Sequence, residues 1–118
     1  MGEQTKDKDL TLNEVQAAVH EWISQWDEGY WSPLSNLARL TEEVGELARE
    51  INHSYGEKPK KSTEAKGSVS MELADILFVV VTIANSLDID LTDAFRQVMN
   101  KYDMRDAQRW TKKIEDNT

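Results

Sequence analysis

The sequence predicts an all-α domain of four principal helices, and three observations carry that prediction. Apolar residues recur at three- and four-residue steps through separate segments, no segment alternates cleanly with period two, and the 118 residues hold only two prolines and five glycines. A chain of this length forms one domain and can bury roughly two-thirds of its unfolded surface. Thr11 opens the first helix with a T-x-x-E capping box to Glu14, and Leu12, Val15, Val19, Trp22 and Trp26 follow as its seam. The stretch D-E-G-Y-W-S-P at 27–33 breaks it. Ser32 as N-cap and Pro33 in the first turn restart a second helix, with Leu37, Leu40, Val44, Leu47 and Ile51 as its seam. Segment 52–69 contains Gly56, Pro59 and Gly67 and reads as a loop. A third helix, from about Ser70 to Leu87, is apolar around nearly its whole circumference and should be the buried centre of the bundle. Asp90 caps a fourth, whose buried face is Leu91, Phe95, Val98 and Tyr102. The domain is thus expected at 11–110, with a disordered tail at 1–10 and a second tail at 111–118.

Composition narrows the class. Without cysteine there are no disulfides and no thiolate metal sites. The opening M-G-E-Q-T-K-D-K-D is polar and mixed in charge, unlike a signal peptide, and the longest apolar run, I-L-F-V-V-V-T-I-A at 76–84, is too short to span a bilayer. A cytoplasmic, soluble protein is expected. A net charge of −8 argues against general affinity for nucleic acid or anionic membranes. A phosphate-bearing ligand would need local cations or metal ions.

The acids are the informative residues. At about 100° per residue, Glu43 falls beside Leu47 at the border of the second helix's seam, with Glu46 and Glu50 on the adjoining flank. Glu42 points away and is a solvated charge. Taken alone, E-E-V-G-E is an ordinary polar face. The third helix changes that reading, because Glu72 and Asp75 lie one turn apart and Asp75 opens the apolar run. Glu72 also fits a helix-start acid favoured by the macrodipole. A buried carboxylate needs a cation or a proton. Two E-x-x-[DE] pairs on adjacent helices would bring four carboxylates together, and hard oxygen ligands suit Mg²⁺ or Mn²⁺ over zinc or copper.

E-E-V-G-E-L-A at 42–48, E-L-A-D-I-L at 72–77 and L-D-I-D-L at 87–91 resemble the MazG-like nucleotide pyrophosphohydrolases of the all-α NTP pyrophosphatase superfamily. The resemblance covers residues 12–109, with an E-x-x-E helix, a spacer toward the long end for the family, and an E-x-x-D helix. It implies a four-helix MazG fold completed by oligomerisation into a homodimer or homotetramer. It also implies Mg²⁺-dependent hydrolysis of a nucleoside or deoxynucleoside triphosphate at the α–β bond, giving the monophosphate and pyrophosphate, in nucleotide-pool house-cleaning. Glu43, Glu46, Glu72 and Asp75 would be the catalytic and metal-holding residues. Either a metal-activated water or a carboxylate acting as general base fits the pattern. Lys101, Tyr102 and Arg105 match the family's K-[FY]-x-x-R pattern, which implies phosphate contacts, and both cations are placed on or beside the buried face. Arg109 reads as a helix-end cation.

Among the tryptophans, Trp22 and Trp26 are expected in the core, and Trp31, in the break before the acidic helix, to contact a base. The loop lysines Lys58, Lys60 and Lys61 read as solvated. The single E-x-x-H at Glu50–His53 raises a di-iron carboxylate bundle as an alternative, although such a site uses two. A non-enzymatic helical interaction module is the remaining alternative.

Overall fold

The computed structural model describes residues 8–57 and 67–114, and within them the chain forms four helices and no strand. These are α1 (Leu12–Ser24), α2 (Pro33–Tyr55), α3 (Val69–Ser86) and α4 (Leu91–Asp106). Residues 1–7 and 115–118 of the expected tails lie outside the described residues, as do Lys58, Lys60 and Lys61.

Capping chemistry starts α1, α2 and α4 where the sequence places them. The Thr11 hydroxyl accepts the Glu14 N–H at 3.1 Å while the Glu14 carboxylate accepts the Thr11 N–H at 3.0 Å. An ion pair with Lys8, reinforced by the bonds to Thr11, holds the Glu14 carboxyl down at about 2. Ser32 accepts the Ser35 N–H at 3.1 Å, and Asp90 accepts the Thr92 N–H at 3.0 Å. Two boundaries differ from expectation. Helix α2 continues through Asn52–Tyr55 and stops where the Gly56 N–H closes on the Asn52 carbonyl at 3.0 Å. Helix α3 begins at Val69 because Ser68 caps it, its hydroxyl accepting the Met71 N–H at 3.3 Å.

Helix α3 is the central element: α2 lies along it, α1 packs on it, and α4 leans on α1. Val79 and Val81 are fully buried, and Val81 joins Val19 and Ile23 in a core flanked by Val15, Tyr30, Phe78 and Leu91. Gln16 ties the helices together. Its amide donates to the Asn85 side chain at 2.9 Å and the Ile89 carbonyl at 2.8 Å, and its oxygen accepts the Leu91 N–H at 2.9 Å. By length and composition α3 is apolar enough to cross a membrane, unlike the shorter run read from the sequence. Its contacts with α1 and α2 show where part of that apolar surface goes.

Three packing expectations are corrected. On α2 the residues turned toward α3 are Asn36, Leu40, Glu43, Leu47 and Glu50, whereas Leu37, Val44 and Ile51 of the expected seam are exposed. Helix α4 buries no residue, and Phe95, Val98 and Tyr102 are exposed. Helix α1 ends at Ser24, so Trp26 stands beyond it, and Trp22 and Trp26 are half-exposed instead of in the core. The common reason is that four helices of this size cannot enclose every apolar stripe of a single chain.

Candidate active site

The pairing of α2 with α3 builds the site. Residue numbers rise along one helix as they fall along the other: Glu50 meets Gly67, Glu43 meets Glu72 and Asp75, and Asn36 and Arg39 share a cleft with Phe78 and Thr82. The helices are therefore antiparallel, and three of the four sequence-predicted acids, Glu43, Glu72 and Asp75, come together where the middle of α2 meets the first turns of α3. One carboxylate oxygen each from Glu43, Glu72 and Asp75 lies within 4.8 Å of the others. Glu46 stands outside that group, exposed, with Arg49 at 3.8 Å. Asp75 is exposed, which corrects the expectation of a carboxylate at the buried start of the apolar run.

The electrostatics show genuine crowding. Partial burial of Glu72, and then the negative charges of Asp75, Glu43, Glu46 and Glu50, push its carboxyl above the ordinary glutamate range. Such a group of acids is favourable only when protonated or when a cation sits among them. The donor set is entirely carboxylate oxygen, without histidine, which fits Mg²⁺ or Mn²⁺ and does not fit the two E-x-x-H arms of a di-iron site.

One turn away from the acids on both helices lies an aromatic cleft of about 220 Å³. Trp22, Trp26, Tyr30, Trp31 and Phe78 form its walls. Trp22 meets Trp26 and Phe78 edge-on, with centroids 5.9 and 5.8 Å apart. His20 steadies Tyr30 by stacking on it and by a 2.8 Å bond between Nδ1 and the phenol. The fully buried Asn36, whose amide donates to the Trp31 carbonyl at 3.3 Å, and the buried Thr82 also line the cleft. The Arg39 guanidinium lies 5.8 Å from the Trp31 ring centroid and 5.6 Å from that of Phe78. Trp31, expected to contact a base, is one wall of this cleft. Sequence reading missed Asn36, Arg39 and Phe78. The usable signal was spacing, since Asn36, Leu40, Glu43, Leu47 and Glu50 repeat at four- and three-residue steps.

The proposed phosphate residues are placed elsewhere. Lys101, Tyr102 and Arg105 are exposed on α4, which corrects their expected position by a buried face. Arg105 grips Asp106 through Nε at 3.1 Å and Nη2 at 3.0 Å, and its guanidinium lies 4.8 Å from the Tyr102 ring centroid. That fork keeps the Asp106 carboxyl below its ordinary range.

Comparison with known proteins shows the family. Residues 31–110, which carry the acids, the α2 and α3 side of the cleft (Trp31, Asn36, Arg39, Phe78 and Thr82) and α4, match the MazG nucleotide pyrophosphohydrolase domain. YpjD of Bacillus subtilis strain 168 is 57% identical over 107 residues, covering 91% of this chain and 96% of that protein. The crystal structure of Bacillus subtilis YpjD superposes with a TM-score of 0.73, covering 80% of this chain and 97% of the other. The crystal structure of the Bacillus-conserved MazG protein, described as a nucleotide pyrophosphohydrolase, is 49% identical and gives 0.72 over 86% of this chain and 99% of its own. With its two acidic helices paired in the same antiparallel fold, the chain belongs to the MazG family of nucleotide pyrophosphohydrolases.

Proposed function

We propose that this member of the family hydrolyses a nucleoside or deoxynucleoside triphosphate at the α–β phosphate bond, releasing the monophosphate and pyrophosphate. The observation that best supports the reading is continuity. A base-sized aromatic cleft and a convergent carboxylate group occupy neighbouring turns of the same helix pair. A nucleotide laid along the pair would place its base among the aromatics and its phosphates at the acids.

In this reading Glu43, Glu72 and Asp75, with Glu46 on the next turn, hold Mg²⁺ (or Mn²⁺). When bound, the ion neutralises the triphosphate and polarises its phosphoryl oxygens. Trp31 and Phe78 stack on the base, and Asn36 offers its amide to a base edge. Arg39, between the cleft and Glu43, meets the phosphate chain as it leaves the base pocket. Water supplies the oxygen that one phosphoryl group gains as the α–β anhydride opens, and a carboxylate of the cluster takes a proton from it.

We further propose a cytoplasmic homodimer or homotetramer engaged in nucleotide-pool house-cleaning. Exposed Leu37, Val44, Ile51, Leu73, Leu77 and Phe95 are the apolar side chains that other copies would cover. Lys101, Tyr102 and Arg105 would add their phosphate contacts within that assembly. The test is incubation of purified protein with Mg²⁺ and a panel of ribo- and deoxyribonucleoside triphosphates, followed by product chromatography. Monophosphate with stoichiometric pyrophosphate supports the reading. Release of orthophosphate, or no turnover of any triphosphate, sinks it.

A further inference from the structure

Glu50 plays no part in the four-acid motif, yet it is the most deeply buried of the acids in the described part of α2, at 8% exposure. It lies on the row of α2 that faces α3, one turn beyond Glu46, and its negative charge is felt at Glu72. Its carboxylate fills the space that a side chain would take at Gly67, where a β-carbon would collide with both carboxylate oxygens. Gly67 immediately precedes Ser68, the residue that caps α3 and so fixes where Glu72 leaves the helix. A glycine at 67 is therefore a condition for the observed seat of Glu50.

We propose that Glu50 is a positioning residue of the metal centre. Seated against Gly67, its carboxylate holds the first turn of α3 to α2, aims Glu72 at Glu43 and Asp75, and adds a further negative charge behind the cluster. Removing it both loosens Glu72 and lowers the attraction of the site for a divalent cation. The inference rests on the metal-holding role proposed above for Glu43, Glu72 and Asp75.

The experiment is calorimetric titration of the folded apoprotein with Mg²⁺ alone, accompanied by circular dichroism and melting of each variant. Glu50→Gln keeps the shape and removes the charge, and should weaken Mg²⁺ binding roughly tenfold or more, as second-layer substitutions do at metal sites. Gly67→Ala, which evicts the carboxylate but leaves it in the chain, should weaken binding in the same direction. The double variant should be no worse than Glu50→Gln alone, because both act through one contact. Glu50→Asp, which keeps the charge on a shorter arm, should recover part of the affinity, a result that a merely structural role would not give. Wild-type affinity in folded Glu50→Gln overturns the proposal. If that variant does not fold, wild-type affinity in both Gly67→Ala and Glu50→Asp overturns it instead. The wild-type titration separates the two levels: no Mg²⁺ binding there refutes the metal centre itself, whereas wild-type binding with indifferent variants refutes only the role of Glu50.

Discussion

Asp75→Asn tests the acid cluster most directly, because it removes one charge and keeps the shape. In the apoprotein Asp75 is near two other carboxylates, with donor oxygens of all three within 4.8 Å. Two unit charges 4–5 Å apart repel by about 1 kcal/mol in water, and roughly half of that survives screening at physiological ionic strength. Two such repulsions vanish together in the variant, so the apoprotein should melt a few degrees higher than the wild type, given about 4–8 °C per kcal/mol for a domain of this size. Mg²⁺ should reverse the order. At about a hundredfold excess over its dissociation constant a ligand of the folded state adds about 2.7 kcal/mol, which is on the order of 10–20 °C for the wild type and much less for Asp75→Asn. Turnover should fall by at least about a hundredfold, as loss of a transition-state electrostatic contact does elsewhere. The assays are thermal melts with and without Mg²⁺ and pyrophosphate release. The raised Glu72 carboxyl gives a second check. The folded state binds its proton more tightly than the unfolded chain, so this contribution to apoprotein stability is fully present below the ordinary glutamate range. It is lost as pH rises through the raised value, and Mg²⁺ should suppress the loss. Full activity in Asp75→Asn, together with wild-type melting indifferent to Mg²⁺, would refute the reasoning.

Trp31→Ala should raise KM for the triphosphate about tenfold while leaving Mg²⁺ binding unchanged, since base stacking is worth about 1–3 kcal/mol; steady-state kinetics and metal titration decide it. Lys101→Ala and Arg105→Ala, on the exposed α4, should weaken triphosphate turnover without altering the melting of the apoprotein, and unaltered kinetics in both would remove them from the site. Gln16→Ala should destabilise the fold by about 2 kcal/mol through loss of the side-chain bonds to Asn85, Ile89 and Leu91, measured by urea unfolding. Glu14→Gln should flatten the acid limb of the stability profile, because the lowered Glu14 carboxyl contributes above its unfolded value and is lost as pH falls toward about 2.

What the sequence made legible follows from how local the signal is. Thr11, Ser32 and Asp90 announce helix starts because a cap is a bond to a backbone N–H two or three residues on, and all three are formed. The pairing of Glu43 with Glu72 and Asp75 was legible from motif order, because two one-turn acid pairs on neighbouring helices have few other ways to meet. The orientation of α2 was not legible. Apolar periodicity shows that Leu37, Val44 and Ile51 share a stripe, but not whether α3 or another surface receives it. Trp22 and Trp26 were misplaced for a related reason: a large aromatic side chain suits a core and a ligand-sized cleft equally well. The extension of α2 through Asn52–Tyr55 is not legible because the asparagine, histidine and serine there favour turns only when nothing continues the helix.

The orientation of α2 also explains why the domain leaves so much apolar surface open. Turning Leu37, Val44 and Ile51 toward α3 would enlarge the core, but it would rotate Glu43 and Glu50 away from Glu72 and separate Asn36 and Arg39 from Phe78. The helix has two usable stripes, and the polar one faces inward. That choice sacrifices hydrophobic burial and accepts repulsion among carboxylates, the expected signature of a site kept for chemistry at the expense of stability. The apolar stripe is then left for a second surface, and the exposed Leu73 and Leu77 of α3 extend the same demand to the neighbouring helix. The proposed assembly and the proposed site would thereby be linked through one helix. The side of α2 that carries the acids faces α3, and the second copy proposed above is the surface that would bury Leu37, Val44 and Ile51 on its other side.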